Sequence, residues 1–450
     1  MPDVHIRHHR GTKKFLGDSV AGGESTLLGL LDRIQQGIPY IRFDRWSIKK
    51  ETPTTDDEHL VDFEDRRSKK ILKLSLPIAN RLLVCNAKSN IKPLREIERY
   101  FLNALVVEAR NLLTTSTSSK ALILSELGSL AAASTITKHA GPRDPPLPII
   151  QFLQTLSRQS YENQRISYGV ILRRRREYHW RRGRPRITAR FSDEFENKRF
   201  KKLTDGFSTA LLVDSEMEIA AVVPLLSPSE EGSVNWKRPL WLGNLAEEAK
   251  DQDGVGFALS RTGDILVCFD GELFLSQRAG RWQMWNHEAQ LSAILASFNY
   301  RGASNHLRQV MSRLYSVSLD LSFRRSGALF VVLKGKRSFK EAVGENEDAE
   351  NKKRQIGEQV LRERIRESKV YLTDRRVLAD LASLDGAVVL DRNGTLLTYG
   401  AIVSSRGRQT EAQGARTQAA LSTSKVGIAI KVSSDGDITV YHKKERVIAF

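Results

Sequence analysis

Apolar residues set the first division of the chain. Between positions 93 and 156 they recur every three to four places, as in Leu94, Ile97, Tyr100, Phe101, Ala104 and Leu105. That spacing predicts amphipathic helices. Pro93 stands near the first turn of one, where its missing N–H costs little. Ser119–Ala133 and Pro148–Leu156 predict two more, separated by the breaker Gly141-Pro142-Arg143-Asp144-Pro145-Pro146. Ser25–Leu31 opens another amphipathic stretch, so residues 1–160 read as a helical N-terminal region.

From about residue 161 the period shortens. Ile166–Leu172, Thr209–Val213, Ile219–Val223, Gly256–Leu259, Ile265–Cys268 and Glu272–Leu275 are short β-type runs bounded by Gly, Asp or Pro. Helical patterns return at Leu291–Phe298 and His306–Leu314. Beyond them come a strand at Ala328–Leu333, a charged stretch at Lys340–Lys353, and helices at Ile356–Glu367 and Asp374–Leu381. Strands at Val388–Asp391, Leu396–Tyr399, Gly427–Val432 and Ile438–Tyr441 close the chain, with a helix at Arg416–Ser422 among them. The fold class is α/β (α+β): a C-terminal mixed sheet with flanking helices at 315–450, a β-rich module at 161–300, and the helical region at 1–160.

The chain also echoes itself. Asp253-Gly-Val-Gly-Phe-Ala-Leu-Ser-Arg-Thr-Gly-Asp-Ile-Leu-Val resembles Asp385-Gly-Ala-Val-Val-Leu-Asp-Arg-Asn-Gly-Thr-Leu-Leu-Thr-Tyr, and a weaker copy starts at Thr204-Asp205-Gly206-Phe207. Arg165-Ile-Ser-Tyr-Gly-Val-Ile-Leu likewise resembles Arg325-Ser-Gly-Ala-Leu-Phe-Val-Val-Leu. Duplication and ordinary strand–turn–strand hairpins both produce such echoes.

Composition adds a direction. The 450 residues carry a net charge of +18, which favours anionic partners. No apolar run approaches the roughly 20 residues of a membrane helix. Met1–Arg10 lacks the apolar core of a secretory signal. Cys85 and Cys268 are too few and too far apart for a disulfide framework or zinc cluster, which points to a reducing cytoplasm. Part of the charge is concentrated in Arg173-Arg174-Arg175-Arg176, followed by Tyr178, His179, Trp180, Arg181, Arg182, Arg184 and Arg186. Guanidinium forks and interleaved aromatics suit nucleic acid, although a solvated basic connector has the same composition. The histidines, among them His8, His9, His287, His306 and His442, show no metal-ligand spacing, and no Walker loop, Gly-x-Gly-x-x-Gly or nucleophile elbow occurs. Trp282 and Trp285, beside Met284, are expected to fill a core or rim rather than stack on a base.

The candidate chemistry lies in the C-terminal third. Asp385-Gly386-Ala387 precedes a buried-type strand. Gly386 there permits close approach of a ligand to the backbone, and Asp385 suits a divalent metal or a sugar hydroxyl. Further on, Gly414-Ala415-Arg416-Thr417-Gln418-Ala419-Ala420 enters a helix through a turn. Free N–H groups and an arginine at such a start suit phosphate. The strand Ile428–Val432 then runs into Ser433-Ser434-Asp435-Gly436-Asp437, oxygen ligands of the kind magnesium prefers.

In this order these segments, with the strand Gly327-Ala328-Leu329-Phe330-Val331-Val332 ahead of them, resemble the diadenylate cyclase domain. The likeness covers about residues 315–450. Residues 161–300, through Lys198–Gly206 and Gly280-Arg281-Trp282, are similar to presumed sensor modules that precede such domains. The resemblance implies condensation of two ATP molecules into cyclic di-AMP with release of pyrophosphate and a Mg2+ or Mn2+ requirement. It also implies a homodimer or higher even assembly in which two domains face each other. It makes Asp385 and Arg416 the catalytic pair, Asp385 and Asp435 the metal ligands, and Gly327, Ala328, Leu329, Gly386, Ala387, Gly414, Ala415, Arg416, Thr417 and Gln418 the nucleotide contacts. One departure is plain. Where the family has Arg-His-Arg, this chain has Arg416-Thr417-Gln418, with Arg406, Arg408 and Lys431 as candidate replacements. Two other readings therefore stand beside turnover: a sensor that binds nucleotide without converting it, and a nucleic-acid-binding protein acting through Arg173–Arg186.

Overall fold

The computed structural model describes residues 37, 42–49, 61–66, 69–78, 81–88, 95–114, 120–141, 145–161, 164–174, 190–191, 204–225, 235–297, 305–335, 338–343, 368–403 and 414–450. The expected elements at Ser25–Leu31, Lys340–Lys353 and Ile356–Glu367, and most of the Arg173–Arg186 segment, lie wholly or largely outside those residues. The chain forms two compact units, one of residues 1–89, 93–139 and 280–283, the other of residues 90–92, 140–279 and 284–450.

The first unit departs from the helical expectation. Residues 42–88 form an antiparallel four-stranded sheet of β1 (Arg42–Lys49), β2 (Val61–Arg66), β3 (Lys69–Ile78) and β4 (Arg81–Lys88), in the order β1-β4-β3-β2. The physical reason is legible in β3, where Leu72, Leu74 and Leu76 alternate with Lys73 and Ser75, a period of two. Helices follow as expected, α1 (Glu96–Thr114) and α2 (Lys120–Ala140). Trp282 is buried in this unit and donates from Nε1 to Ser129 Oγ at 3.2 Å.

The second unit is built from one pattern used twice. Its first copy comprises α3 (Leu147–Ser157), β5 (Tyr168–Arg173), β6 (Thr209–Val213), β7 (Ile219–Pro224), α4 (Gly243–Asp251), β8 (Gly254–Leu259), β9 (Ile265–Phe269) and β10 (Glu272–Arg278). After the helix α5 (His287–Ala296), the second copy begins. It contains α6 (Asn305–Arg324), β11 (Ala328–Leu333), α7 (Ser338–Val343), α8 (Arg375–Ser383), β12 (Ala387–Asp391), β13 (Leu396–Ala401), α9 (Ala415–Thr423), β14 (Gly427–Val432), β15 (Ile438–His442) and β16 (Glu445–Ala449). Six strands of the first sheet run β10-β9-β8-β5-β6-β7, and the second sheet runs β16-β15-β14-β11-β12-β13. In each, the central strand pairs parallel with the next strand in sequence (β5 with β6, β11 with β12), and every other pairing is antiparallel.

The correspondence extends to individual hydrogen bonds. Tyr168 faces Leu259 as Ala328 faces Val432. Asp214 Oδ1 accepts the N–H groups of Glu216 and Glu218, and Asp391 Oδ1 those of Asn393 and Thr395. The turn Ser260-Arg261-Thr262-Gly263-Asp264 matches Ser433-Ser434-Asp435-Gly436-Asp437. In both, the serine Oγ takes the aspartate N–H at 3.0 Å and the glycine N–H bonds the serine carbonyl at 3.0 Å. The echo in the sequence is thus a duplication of fold. By register Arg165 stands with Arg325 and Asp214 with Asp391, so the echo that begins at Thr204, three residues longer before its strand, is the counterpart of the Asp385 segment; Asp253 instead precedes the counterpart of β14.

Both sheets are buried where they carry helices. β5, β8, β11 and β12 are buried along essentially their whole lengths, as strands covered on both faces must be. Around β11 the core gathers Leu329, Val331, Leu333, Val389, Ala420 and Ala429. The helix α6 meets α8 through a buried ion pair, Arg375 Nε to Asp320 Oδ2 at 2.5 Å. Arg375 also donates to the carbonyls of Ser316 and Arg238, and Asp320 accepts Leu240 N–H, so the charges are fully hydrogen-bonded. The chain leaves α6 through Arg325 in the left-handed region (φ +58°). Ser326 N–H bonds Leu321 O and Arg325 N–H bonds Ser322 O, a Schellman arrangement that usually carries glycine. A side chain there costs about 1–2 kcal/mol. Trp285 and Met284 are buried, as their composition suggested.

Candidate nucleotide site

The second sheet brings the sequence-chosen segments to one edge. β11 and β12 start there and β14 ends there, because β11 is parallel to β12 and antiparallel to β14. Gly327-Ala328 therefore lies between Asp385-Gly386-Ala387 on one side and Val432-Ser433 on the other. With strands about 4.8 Å apart, the approaches to Asp385 and Asp435 flank Gly327 at roughly one strand spacing each. The helix α9 packs on β11 and β14 and sets its first turn against the same edge.

Arg416, in that first turn, lies on Gly327. A Cβ at Gly327 would sit 2.2 Å from Arg416 Nη1 and 2.9 Å from Cζ, so the missing side chain is what admits the guanidinium. Gly414 caps α9 without a side-chain bond and has open space around it; its carbonyl takes the N–H groups of Thr417 and Gln418. Ala415, Arg416, Thr417 and Gln418 are all at least partly accessible. The first two N–H groups of the helix, those of Ala415 and Arg416, its positive end and a cation coincide there, an arrangement suited to phosphate.

Lys431 completes the positive side. It stands opposite Leu329 on β14 and donates from Nζ to Thr417 Oγ1 at 3.0 Å. Burial lowers its pKa, while the carboxylates of Asp437 and Asp435 pull it back up. In the sequence Lys431 was one of three candidate replacements for the cations missing from Arg416-Thr417-Gln418. Here it reaches Thr417, the middle residue of that segment. Arg406 and Arg408 lie outside the described residues.

The remaining candidates have distinct fates. Ala328, Leu329 and Ala387 are buried in the sheet, so only their backbone near the edge is available to a ligand. Asp385 is exposed, and its Oδ1 accepts a long bond from Gly386 N–H at 3.2 Å. Asp435 is exposed, and its carbonyl is held by Arg325 Nη1. Gly386 has φ +102°, and a Cβ there would lie 2.4 Å from Gly400 C and 2.7 Å from its oxygen. Its glycine therefore answers to the neighbouring strand β13, whereas the sequence reading gave it to a ligand. Among the described residues no group of three or more His, Cys, Asp or Glu side chains gathers to hold a metal.

The first copy shows what the site is not. By register, Ala258 stands where Lys431 stands, Thr262 where Asp435 stands and Ser208 where Asp385 stands. The nearby Asp205 is spent on its own turn: its Oδ1 accepts the N–H groups of Phe207, Ser208 and Thr209. Burial pushes its pKa up, but those donors outweigh it and hold the carboxyl below its usual value. The acidic and basic groups at this edge are thus a property of the second copy.

No protein family and no curated protein matches the chain at the level of sequence. Among solved structures it is similar to a double mutant of DacA from Staphylococcus aureus, at 18% identity and a TM-score of 0.23, over 32% of this chain and 89% of that one. It is also similar to a hypothetical membrane spanning protein from Bacillus cereus, at 14% identity and a TM-score of 0.21, over 36% of this chain and 88% of that one. Scores this low give the superpositions no weight for function. Among the described residues no helix is long and apolar enough to cross a membrane.

Proposed function

We propose that the edge formed by Gly327, Asp385, Arg416, Lys431 and Asp435 binds the triphosphate of ATP, and that two copies of the chain, facing each other, join two ATP molecules into cyclic di-AMP. The observation that carries the reading is the seat of Arg416 on Gly327, with Lys431 beside it on Thr417 and the open start of α9 between them. Each 3′-hydroxyl oxygen in turn forms a bond to the α-phosphorus of the facing nucleotide, so that two such displacements close the ring. The bond from that phosphorus to the β-phosphate oxygen breaks, pyrophosphate leaves, and the hydroxyl proton is lost. This chemistry asks the protein for position and charge neutralisation. In this reading Arg416 and Lys431 take the phosphate charge, and Asp385 orients the hydroxyl.

Two exposed carboxylates without a third fit a magnesium or manganese ion that completes its shell with phosphate oxygens and water. Asp385 and Asp435 would hold it, and when bound it would add charge neutralisation at the triphosphate. A second reading keeps the site but removes turnover. The loss of histidine and the second arginine at Thr417 and Gln418 favours a sensor that holds nucleotide unchanged. Nucleic-acid binding through Arg173–Arg186 draws no support from the described geometry.

The test is incubation of the full chain with ATP and Mg2+ or Mn2+, with products identified by mass. Cyclic di-AMP is expected. Asp385→Asn is expected to abolish it while leaving metal-free ATP affinity within about threefold, since a neutral isostere removes little from phosphate binding. Stable ATP binding with no product decides for the sensor. Full activity of Asp385→Asn would remove Asp385 from the reaction.

A further inference from the structure

The duplication places a second cationic feature away from the nucleotide edge. Arg165 and Arg325 occupy equivalent positions, each five residues before the middle of its central strand (Val170 and Phe330). Each donates from Nη1 to the carbonyl of the equivalent turn residue, Arg165 to Thr262 O at 2.9 Å and Arg325 to Asp435 O. Both line one cavity of about 380 Å3, together with Arg158, Thr262, Gly263 and Asp264. Three guanidinium groups thus face one carboxylate. That carboxylate is buried and already committed: Asp264 Oδ1 takes Arg325 Nη2 at 2.6 Å, and Oδ2 lies 3.5 Å from Arg278 Nε. Among the described residues neither Arg158 nor Arg165 is held in an ion pair, and both are exposed.

Arg325 is the informative member. It holds a left-handed backbone at a position that favours glycine, and its side chain makes polar contacts to both Asp435 O and Asp264. That side chain spans from the cavity to the acidic turn of the second copy, and only Ser326 separates it from Gly327, on which Arg416 rests. Ser322 and Arg278 reinforce the same junction: Arg278 Nη2 donates to Ser322 Oγ, which donates to Gly436 O.

We infer that the cavity between the two copies binds a small phosphate-bearing anion through Arg158, Arg165 and Arg325, and that occupancy draws Arg325 from the Asp435 turn and so retunes the nucleotide edge. Guanidinium forks match phosphate oxygens in pairs, and the cavity is large enough for a small phosphate ester. The coupling has two defined states, Arg325 on the turn and Arg325 on the ligand, which is what linkage between sites requires. The binding half stands without the nucleotide reading; the coupling half rests on it.

The experiment is calorimetric titration of the full chain with orthophosphate and with pyrophosphate. The variants are Arg158→Ala/Arg165→Ala, which removes two exposed side chains, and Arg416→Ala/Lys431→Ala, which removes the nucleotide cations. Binding is expected in the wild type, weakened at least about tenfold in the first variant and retained in the second. Loss in the second variant alone would show the anion at the nucleotide edge and overturn the proposal, as would no binding up to roughly 10 mM. In the coupling arm, orthophosphate is expected to change ATP affinity severalfold in the wild type and to leave it unchanged in Arg158→Ala/Arg165→Ala. An equal phosphate effect in both refutes the coupling. If ATP does not bind at all, the nucleotide reading fails while the titration still decides the cavity.

Discussion

Replacing Gly327 with alanine tests the nucleotide edge with one methyl group. The new Cβ would stand 2.2 Å from Arg416 Nη1, whereas non-bonded heavy atoms settle at about 3.5–4.0 Å. The guanidinium must therefore retreat by at least about 1.3 Å, beyond the tolerance of a charge-assisted hydrogen bond. Such a bond to a charged group contributes about 1.5–3 kcal/mol, which at 1.4 kcal/mol per decade weakens ATP binding roughly 10- to 100-fold. Stability is expected to move the other way or not at all. Gly327 is not in the left-handed region, the contacted atoms end a flexible side chain, and alanine at a compatible glycine gains about 0.4–1 kcal/mol through the unfolded state. ATP titration and urea unfolding on the same preparation separate the two effects. The cycle with Arg416→Ala sharpens the result: if Gly327→Ala acts by displacing Arg416, the double variant loses no more affinity than Arg416→Ala alone. Additive losses, or a Gly327→Ala protein that binds ATP as the wild type does, would refute the seat of Arg416 as the basis of binding.

Two further outcomes follow from the same structure. Burial holds the Lys431 pKa below 10.5, and its ammonium must be charged to face phosphate, so ATP affinity should be full below that lowered value and fall as pH rises through it. Lys431→Arg should flatten the profile over the same range in titrations at constant ionic strength; an identical profile would exclude Lys431. Arg375→Met should cost about 3–5 kcal/mol in urea unfolding, because Asp320 is left buried and charged without its partner. A loss under about 1 kcal/mol would mean that the surrounding backbone donors hold Asp320 without Arg375.

Local pattern was enough for most elements of the second unit. Thr209–Val213, Ala328–Leu333 and Gly427–Val432 have the bounds that short apolar runs and flanking breakers assign them, and the helix at Arg416–Ser422 is short of its structural length by one residue at either end. These runs are decided by neighbours in sequence, which is why sequence suffices. The sheet at 42–88 departs from the helical reading because its interspersed polar and aliphatic residues also satisfy a helical count unless period two is counted, as β3 shows. Among site residues, Arg416 was legible from its place after Gly414 at a helix start. Lys431 could only be offered among alternatives, since its role depends on which side chain it meets fourteen positions upstream.

What the sequence settled by itself was which stretches of the second unit are strands and helices, that Arg416 enters a helix, and that the chain echoes itself. Tertiary structure decided which parts of the echo correspond, because equivalence is a matter of strand order and register, and these are set by pairing across long distances. It likewise decided that Gly386 serves β13 while Gly327 serves Arg416, and that Arg165 and Arg325 share one cavity. Charge and backbone freedom are written residue by residue along the chain, but whether a glycine faces a strand, an arginine or open space exists only after distant segments have packed.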